Sequence, residues 1–475
     1  MANETLKKAY GDYLNTLNIH VLRNVARFVG VYKPTDGKKQ DLIDRTIAVL
    51  LGVVAPVAPS NRGAPLKEDL LDPRYVRELE RIKKEYSVFA EIDENENVVQ
   101  VRSEDEQKNA YDTPLYMGIL EISANGGGFL RGENCAVTPK DVFVSAKNIA
   151  EWKLREGDYV VGYATRQENG NLCLMKTLSV NSVAHYEERG SFEKFSVGYP
   201  VDRIKLSESN DWLSLRMVDL FAPVGKGQRA IICTPPIADA GALFRDIAFS
   251  FEEKNNRGEN YHLLALLIDE RPEDITEYKN AVRFGETYYT TFNMDVHEHI
   301  RITNLVFARA KRLAEAGEDV VILFDSLTSF TYAANACCTA SKTTLCGLGV
   351  ESLVCARALL SAVGNFGSGS ITVFATAFKN EGNNVDEFIR VEYEKLCNCC
   401  IYLDEELAKK HIFPTFSVKN SYTRRAESLL SAKELKCAKS LRCRFEKDVD
   451  IQSFMESYSD NEEMVKVVDS ENFSE

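Results

Sequence analysis

Apolar positions recur along this chain in three different rhythms. Leu14, Leu17, Val21, Leu22, Val25 and Phe28 fall at helical spacing, and Ile43, Ile47, Leu50 and Leu51 repeat it after a Gly-Lys-Lys turn. That pattern predicts a small helical unit over residues 3–52. Between Pro56 and Thr113 the rhythm lapses into Pro, Asn, Asp, Glu and Lys, which predicts a linker with one short helix at Pro73–Tyr86. Residues 114–186 carry short strands broken by turn signals: Leu115–Ile122, Gly128–Arg131, Val142–Val144, Tyr159–Ala164 and Leu172–Leu178. Five such strands in so short a span fit an OB-type barrel. Beyond Gly198 the strands Ala230–Cys233, Leu263–Ile268, Val320–Phe324 and Ser370–Ala377 are apolar without alternation, as in a parallel sheet covered on both faces. Helical patterns at Ile300–Ala316 and Glu351–Ala362 separate them, so the second half reads as a RecA-like α/β core.

The resulting division is a helical domain over 1–55, a linker over 56–113, a barrel over 114–186, an α/β domain over 187–455 and an acidic tail over 456–475. The longest apolar run, Thr46–Ala58, is too short to cross a bilayer, and the first residues lack the apolar stretch of a signal peptide. A cytoplasmic protein without a membrane partner is expected. Net charge is −13, which argues against broad nucleic-acid binding through a positive field. Even the barrel is balanced, with seven Lys/Arg against seven Asp/Glu between Pro114 and Tyr186. The acidity gathers partly in Glu91–Glu106 and from Asp460 to Glu475, both read as solvated. Ten of twelve cysteines follow residue 200, without zinc-finger spacing, and are expected as reduced fillers of a buried sheet rather than as a metal site. His297-Glu-His299 lacks the spacing of a metal-binding helix.

The chemistry concentrates in one stretch. Ala230–Cys233 is followed by the loop Thr234-Pro-Pro-Ile-Ala-Asp-Ala-Gly241 and then by a helical pattern, the layout of a nucleotide-binding strand, loop and helix. A phosphate loop needs glycines, a lysine and a Ser/Thr so that backbone N–H groups and one ammonium cradle the phosphates. This loop has neither lysine nor hydroxyl at the required places.

The flanking residues resemble the family of the bacterial transcription termination factor Rho, an RNA-stimulated ATPase and helicase. The likeness is carried by Leu220–Arg229, Leu266-Leu-Ile-Asp-Glu-Arg-Pro-Glu273, Val320-Val-Ile-Leu-Phe-Asp-Ser-Leu-Thr328 and Ile412-Phe-Pro414, and upstream by Gly118-Ile-Leu-Glu-Ile122, Gly128-Phe-Leu-Arg131 and Asp141-Val-Phe-Val-Ser145. It covers roughly residues 114–450. The resemblance implies that Phe129 and Phe143 stack RNA bases, with Arg131 and Asp141 as polar neighbours. One stacking platform is missing, because Gly127-Gly-Phe129 stands where the family has Phe-Gly-Phe. It also implies catalytic roles for Asp325 (magnesium-bound water), Glu270 (water activation) and Arg424 (an arginine finger across a subunit interface), with Arg271 in the same turn as Glu270.

The departures from the family cluster at the motor. Where Rho carries Lys-Ala-Gly-Lys-Thr, this chain has Ile237, Ala238, Asp239, Ala240 and Gly241. Ala240 removes the ammonium, Gly241 the magnesium-ligating hydroxyl, and Asp239 adds a carboxylate beside the phosphate position. Two unit charges ~4 Å apart repel by about 4 kcal/mol at an effective dielectric of ~20, about a thousandfold in affinity. The two RNA-gripping pore loops are also altered, reading Leu345-Cys-Gly-Leu348 and Glu394-Lys-Leu-Cys397, and Asp404-Glu-Glu406 replaces a basic Ser-Arg-Lys. The expectation is a non-catalytic, RNA-binding member linked to transcription termination. ATP and magnesium enter only if the degenerate site still holds them. Single-stranded RNA, an active Rho or RNA polymerase, and further copies of the chain are the expected partners. Two rival readings stay open: an active ATP-dependent RNA translocase, supported by Asp325, Glu270 and Arg424, and an interaction module that joins Rho rings without binding RNA.

Overall fold

The structure, a computed structural model of the 475-residue chain, describes parts of residues 10–50 and residues 115–470 apart from 168–169, 182–189, 208–211, 284, 339–342 and 345. The expected linker, its helix at Pro73–Tyr86 and the acidic run Glu91–Glu106 lie outside the described residues. So does Leu345 of the first pore loop.

The N-terminal unit is described by itself. Tyr10, Leu14, Leu22, Val25, Ala26, Leu42, Ile43 and Ile47 form one buried cluster, and the helix Lys39–Leu50 supplies the last three through its i, i+1, i+5 positions. The helical spacing read from the sequence thus marks the buried face.

In the second unit, β1 (Leu115–Ile122), β2 (Gly128–Arg131), β3 (Val142–Val144), β4 (Tyr159–Arg166) and β5 (Leu172–Val180) close into a barrel in the order β1-β2-β3-β5-β4. Leu120, Leu130, Val142, Val144, Val160, Leu174 and Val180 fill it. A short helix, Ala146–Glu151, is capped by the Ser145 side chain and adds Ile149 to this core.

The antiparallel pair β6 (Arg203–Ile204) and β7 (Val224–Gly225) precedes the main sheet. That sheet consists of β8 (Arg229–Thr234), β9 (Tyr261–Glu270), β10 (Glu286–Thr291), β11 (Asp319–Asp325), β13 (Ser370–Phe378), β14 (Cys399–Tyr402) and β15 (Tyr422–Thr423), in the order β10-β9-β11-β13-β8-β14-β15. The short β12 (Gly364–Asn365) pairs with β13. The strands from β10 to β14 are parallel, and only β15 and β12 run antiparallel to their partners. One face buries Ala230, Ile232, Phe244, Phe251, Leu267 and Leu323; the other buries Ile231, Leu266, Phe307, Ile322 and Phe324. Both faces being covered explains why these strands show no polar alternation.

The barrel is docked on this core. Gly157, at φ +82°, lies so close to the helix Val296–Glu315 that a Cβ there would stand 2.4 Å from the Ala308 carbonyl carbon. Around that contact Arg301 donates to Glu121 Oε2 and to the Cys135 carbonyl, both at 2.9 Å. Asn134 exchanges two hydrogen bonds with the Tyr289 backbone, and Arg309 donates to Asn181 at 2.8 Å.

Two expectations need correction. The tail is not uniformly solvated: Asn461–Ser470 is a helix that buries Met464, Val465 and Val468, and its Asp469 pairs with Lys433 and Lys436. Three apolar residues at i, i+1, i+4 suffice to hold an otherwise acidic helix on the core. The cysteines also divide. Cys233, Cys399 and Cys400 are buried in β8 and β14 as expected, whereas Cys337, Cys338 and Cys346 are half-buried and Cys355 and Cys443 are exposed.

Candidate nucleotide and RNA sites

The loop after β8 closes on itself. Pro235 and Pro236 have no backbone N–H, so two possible donors to an anion are absent. The Ala238 N–H donates to the Pro235 carbonyl at 2.9 Å and the Thr234 hydroxyl to the Ala238 carbonyl at 3.2 Å, which turns further polar groups inward. Ile237 is left exposed at the tip. The helix Ala240–Asn256 then starts under its own anion: the Asp239 carboxylate caps it, accepting from the Ala242 N–H at 3.1 Å. That carboxylate stands where a helix N-terminus would receive phosphate. Arg245, one turn on, pairs with Asp239 at 3.0 Å and with Glu277 at 2.9 Å, so its charge is already shared between two carboxylates.

Two strand ends face this loop. Asp325 ends β11, half-buried, and accepts from the Thr376 hydroxyl at 2.6 Å and from the Tyr278 hydroxyl at 3.0 Å. Burial raises its pKa, and these two hydrogen bonds work the other way. Glu270 ends β9, past Asp269, which adopts a left-handed φ of 66°. Burial first, then the charges of Asp325 and Asp274, push the Glu270 carboxyl up to about 8. Burial and like charge thus both favour the protonated form of this carboxyl.

Tyr278 was not foreseen. It lies on the helix Pro272–Ala281, which begins at Arg271, and its hydroxyl reaches into the space beside Gly241. A Cβ on Gly241 would stand 3.3 Å from that hydroxyl, 3.3 Å from Arg245 Nη1 and 2.9 Å from Asp239 Oδ1. The tyrosine therefore fills the volume beside the carboxylate that a magnesium-ligating residue would use. In sequence it reads as one more apolar position of an amphipathic helix, and no local pattern betrays a contact 47 residues away.

Of the other expected site residues, Arg271 and Ala240 adjoin Glu270 and Asp239, and Arg424 stands apart. Arg271 is an exposed residue preceding its helix, and Ala240 is buried at the start of the loop helix. Arg424 is exposed just beyond β15, the edge strand at the far side of the sheet from β9 and β11, so the fold of one chain does not bring it to Glu270 and Asp325. Lys226 pairs with Asp319 at the opening of β11, the opposite end of the strand from Asp325. In the second pore loop Glu394 is engaged by Arg390 within its own helix, and Asp404 caps the helix Glu405–Lys409.

On the barrel, Phe129 and Phe143 are cross-strand partners on β2 and β3, their rings 5.5 Å apart and edge to face. Both are half-buried and neither belongs to the barrel core, which leaves them as a surface aromatic pair. Gly127 lies under Phe143: a Cβ there would come within 3.1 Å of the ring. With no side chain at 127, the Phe143 ring lies close against the backbone there. Arg131 and Asp141, the expected polar neighbours of the pair, are bonded to each other. The Arg131 guanidinium donates to Glu121 at 2.6 Å and to Asp141 at 2.5 Å, and Asp141 is further held by the Thr138 N–H and hydroxyl. Glu121 also receives Arg301, so this ion cluster belongs to the joint between barrel and core. Arg131 also lies over the Phe129 ring, 4.9 Å from its centroid, and stiffens it from one side.

Residues 116–186 match the Rho termination factor, RNA-binding domain, and residues 214–423 match the ATP synthase alpha/beta family, nucleotide-binding domain. Over 330 residues the chain is 38% identical to the transcription termination factor Rho of Aquifex aeolicus, which covers 67% of this chain and 75% of that protein. The chain belongs to the Rho family. The Rho of Pseudomonas aeruginosa is 35% identical over 329 residues, 67% of this chain and 78% of that one. The Streptomyces lividans Rho is 36% identical over 335 residues, 68% of this chain but only 46% of the relative's own length. The barrel and the parallel core thus correspond to the two matched domains. Among the described residues no helix is long and apolar enough to cross a membrane.

Proposed function

We propose that this Rho family member binds single-stranded RNA through its barrel and acts in transcription termination without hydrolysing ATP or translocating. The observation that carries this reading is the anion already seated at the start of the helix Ala240–Asn256. Asp239 caps the Ala242 N–H at the start of that helix, and Tyr278 takes up the space beside Asp325. The residues of the loop do not fit a magnesium triphosphate: Ala240 and Gly241 offer neither an ammonium nor a hydroxyl, and the Tyr278 hydroxyl beside them is bonded to Asp325. Glu270 and Asp325 then stay as strand-end carboxylates held by protons and hydrogen bonds. Arg424 contributes only if copies of the chain assemble.

RNA is held by stacking on Phe129 and Phe143, each base contributing about 1–3 kcal/mol. With a neutral barrel and a net charge of −13, the backbone adds little. A regulator of this kind works by occupying RNA or by joining a competent Rho ring. The test is equilibrium binding of a fluorescent ATP analogue with magnesium, with and without poly(C). No nucleotide binding up to millimolar concentration, together with retained poly(C) binding, is the expected result. Micromolar nucleotide binding would return the chain to the active translocases, and absent poly(C) binding would leave an interaction module.

A further inference from the structure

Four cysteines that are not core fillers fall between residues 337 and 355. Cys337, Cys338 and Cys346 are half-buried, and Cys355 is exposed. Cys337 ends the helix Leu327–Cys337, and Cys338 caps it, its N–H donating to the Ala334 carbonyl at 3.1 Å. The next helix, Val350–Ser361, packs on the first. The two are tied where the Gly349 N–H donates to the Asn335 side chain at 2.7 Å. Between them the chain folds back on itself: Thr343 bridges Gly349, and the Thr344 N–H donates to the Leu348 carbonyl at 2.7 Å.

The two adjacent thiols have different surroundings. Cys337 Sγ stands 3.4 Å from His297 Nδ1, on the helix Val296–Glu315. Cys338 is set toward the second helix: burial first, then Cys355, Glu351 and Cys337, raise the pKa of its thiol. Glu351 and Cys355 are four residues apart on that helix, so both lie on one face, a turn from each other. Among the described residues no three His, Cys, Asp or Glu side chains converge as a metal ion would need. Two thiols on separate elements leave sulfur–sulfur chemistry.

We propose that Cys338 and Cys355 form a reversible disulfide, closed by exchange with a low-molecular-weight disulfide RSSR. The exposed Cys355 meets the oxidant first. Its thiolate attacks one sulfur, the S–S bond of RSSR breaks, and a mixed disulfide forms as RS⁻ leaves. The Cys338 thiolate then attacks the Cys355 sulfur and expels the second RS⁻. Both cysteines are oxidised, RSSR is reduced to two RSH, and the two thiol protons end on the two leaving groups. The second step is the slower one, because the raised pKa of Cys338 keeps it largely as the thiol at neutral pH. An accessible bridge of this kind is reopened by small thiols. It would tie down the segment carrying Cys346-Gly-Leu348, whose freedom would then follow the redox state.

The test takes the full chain, reduced and then exposed to glutathione disulfide. Free thiols are blocked with iodoacetamide, and the unreduced digest is sequenced by fragmentation in a mass spectrometer. A peptide pair joined through Cys338 and Cys355, lost on adding dithiothreitol, is the expected result. Cys338→Ser should halt the reaction after its first step, leaving one glutathione on Cys355. Cys337→Ser should leave the bridge in place. Three outcomes would overturn the proposal: both cysteines alkylated after oxidation, a native chain that stops at glutathionylated Cys355, or a bridge from Cys355 to Cys337 or Cys346.

Discussion

Glu270 is where the crowding of buried carboxylates has a measurable consequence. Its carboxyl is raised by burial and by Asp325 to about 8, against an ordinary value of 4.5. Between those two values the folded chain holds a proton that the unfolded chain has released. Stability is therefore favoured at the acid end of the window and is lost as pH rises through the folded value. Glu270→Gln should abolish this slope and stabilise the chain at pH 8 by about 1–2 kcal/mol, read from urea melts at pH 5.5 and 8. A slope unchanged by the substitution would mean that Glu270 is ionised in the fold. The loop after β8 makes a second residue-scale prediction. Restoring only the missing groups, by Ala240→Lys with Gly241→Thr, should not recover ATP binding, because the new Cβ meets Tyr278, Arg245 and Asp239. Adding Asp239→Gly and Tyr278→Phe should recover it. If the first pair alone binds a fluorescent ATP analogue, Tyr278 is no obstacle.

At the scale of elements, the barrel separates into a surface pair and a joint. Phe129→Ala and Phe143→Ala should each weaken poly(C) binding by about 1–3 kcal/mol with little change in melting temperature. Arg131→Ala should do the reverse in emphasis. It leaves Glu121 and Asp141 without their shared cation and should cost about 3 kcal/mol of stability, seen as an early melting transition. The elements legible in the sequence were those whose burial is one-sided or complete. The barrel strands are short apolar runs set off by turn residues, and the parallel strands β8, β9, β11 and β13 are largely continuous apolar runs, so both patterns follow from their surroundings. The strand β10, Glu-Thr-Tyr-Tyr-Thr-Thr, escapes that logic. Its buried Thr290 is satisfied by His299 at 2.6 Å, and Glu286 is held by His262 and Arg309, partners supplied by other elements. The helix Asn461–Ser470 was hidden for a related reason: three apolar residues among acids do not stand out until the helix Ala432–Arg444 is beside them. The contact of Tyr278 with Asp325 was illegible altogether, since it joins segments far apart in the chain.

For the molecule as a whole, net charge and architecture pull RNA binding in one direction. A chain of charge −13 with a balanced barrel has few cations to neutralise phosphates. Its poly(C) affinity should fall only gently with salt, with a log–log slope shallower than about −2, equivalent to fewer than ~3 phosphate contacts. A steeper slope in filter-binding titrations would point to a basic surface outside the described residues. The chain has two tryptophans. Trp152 packs against the barrel core and Trp212 lines a cavity beside the loop after β8. Each half of the docked unit therefore carries its own natural emitter. Replacing either one by phenylalanine leaves a single-colour probe, and such a pair would reveal whether a base stacked on the barrel is felt 60 residues further along the chain, without a dye ever being attached.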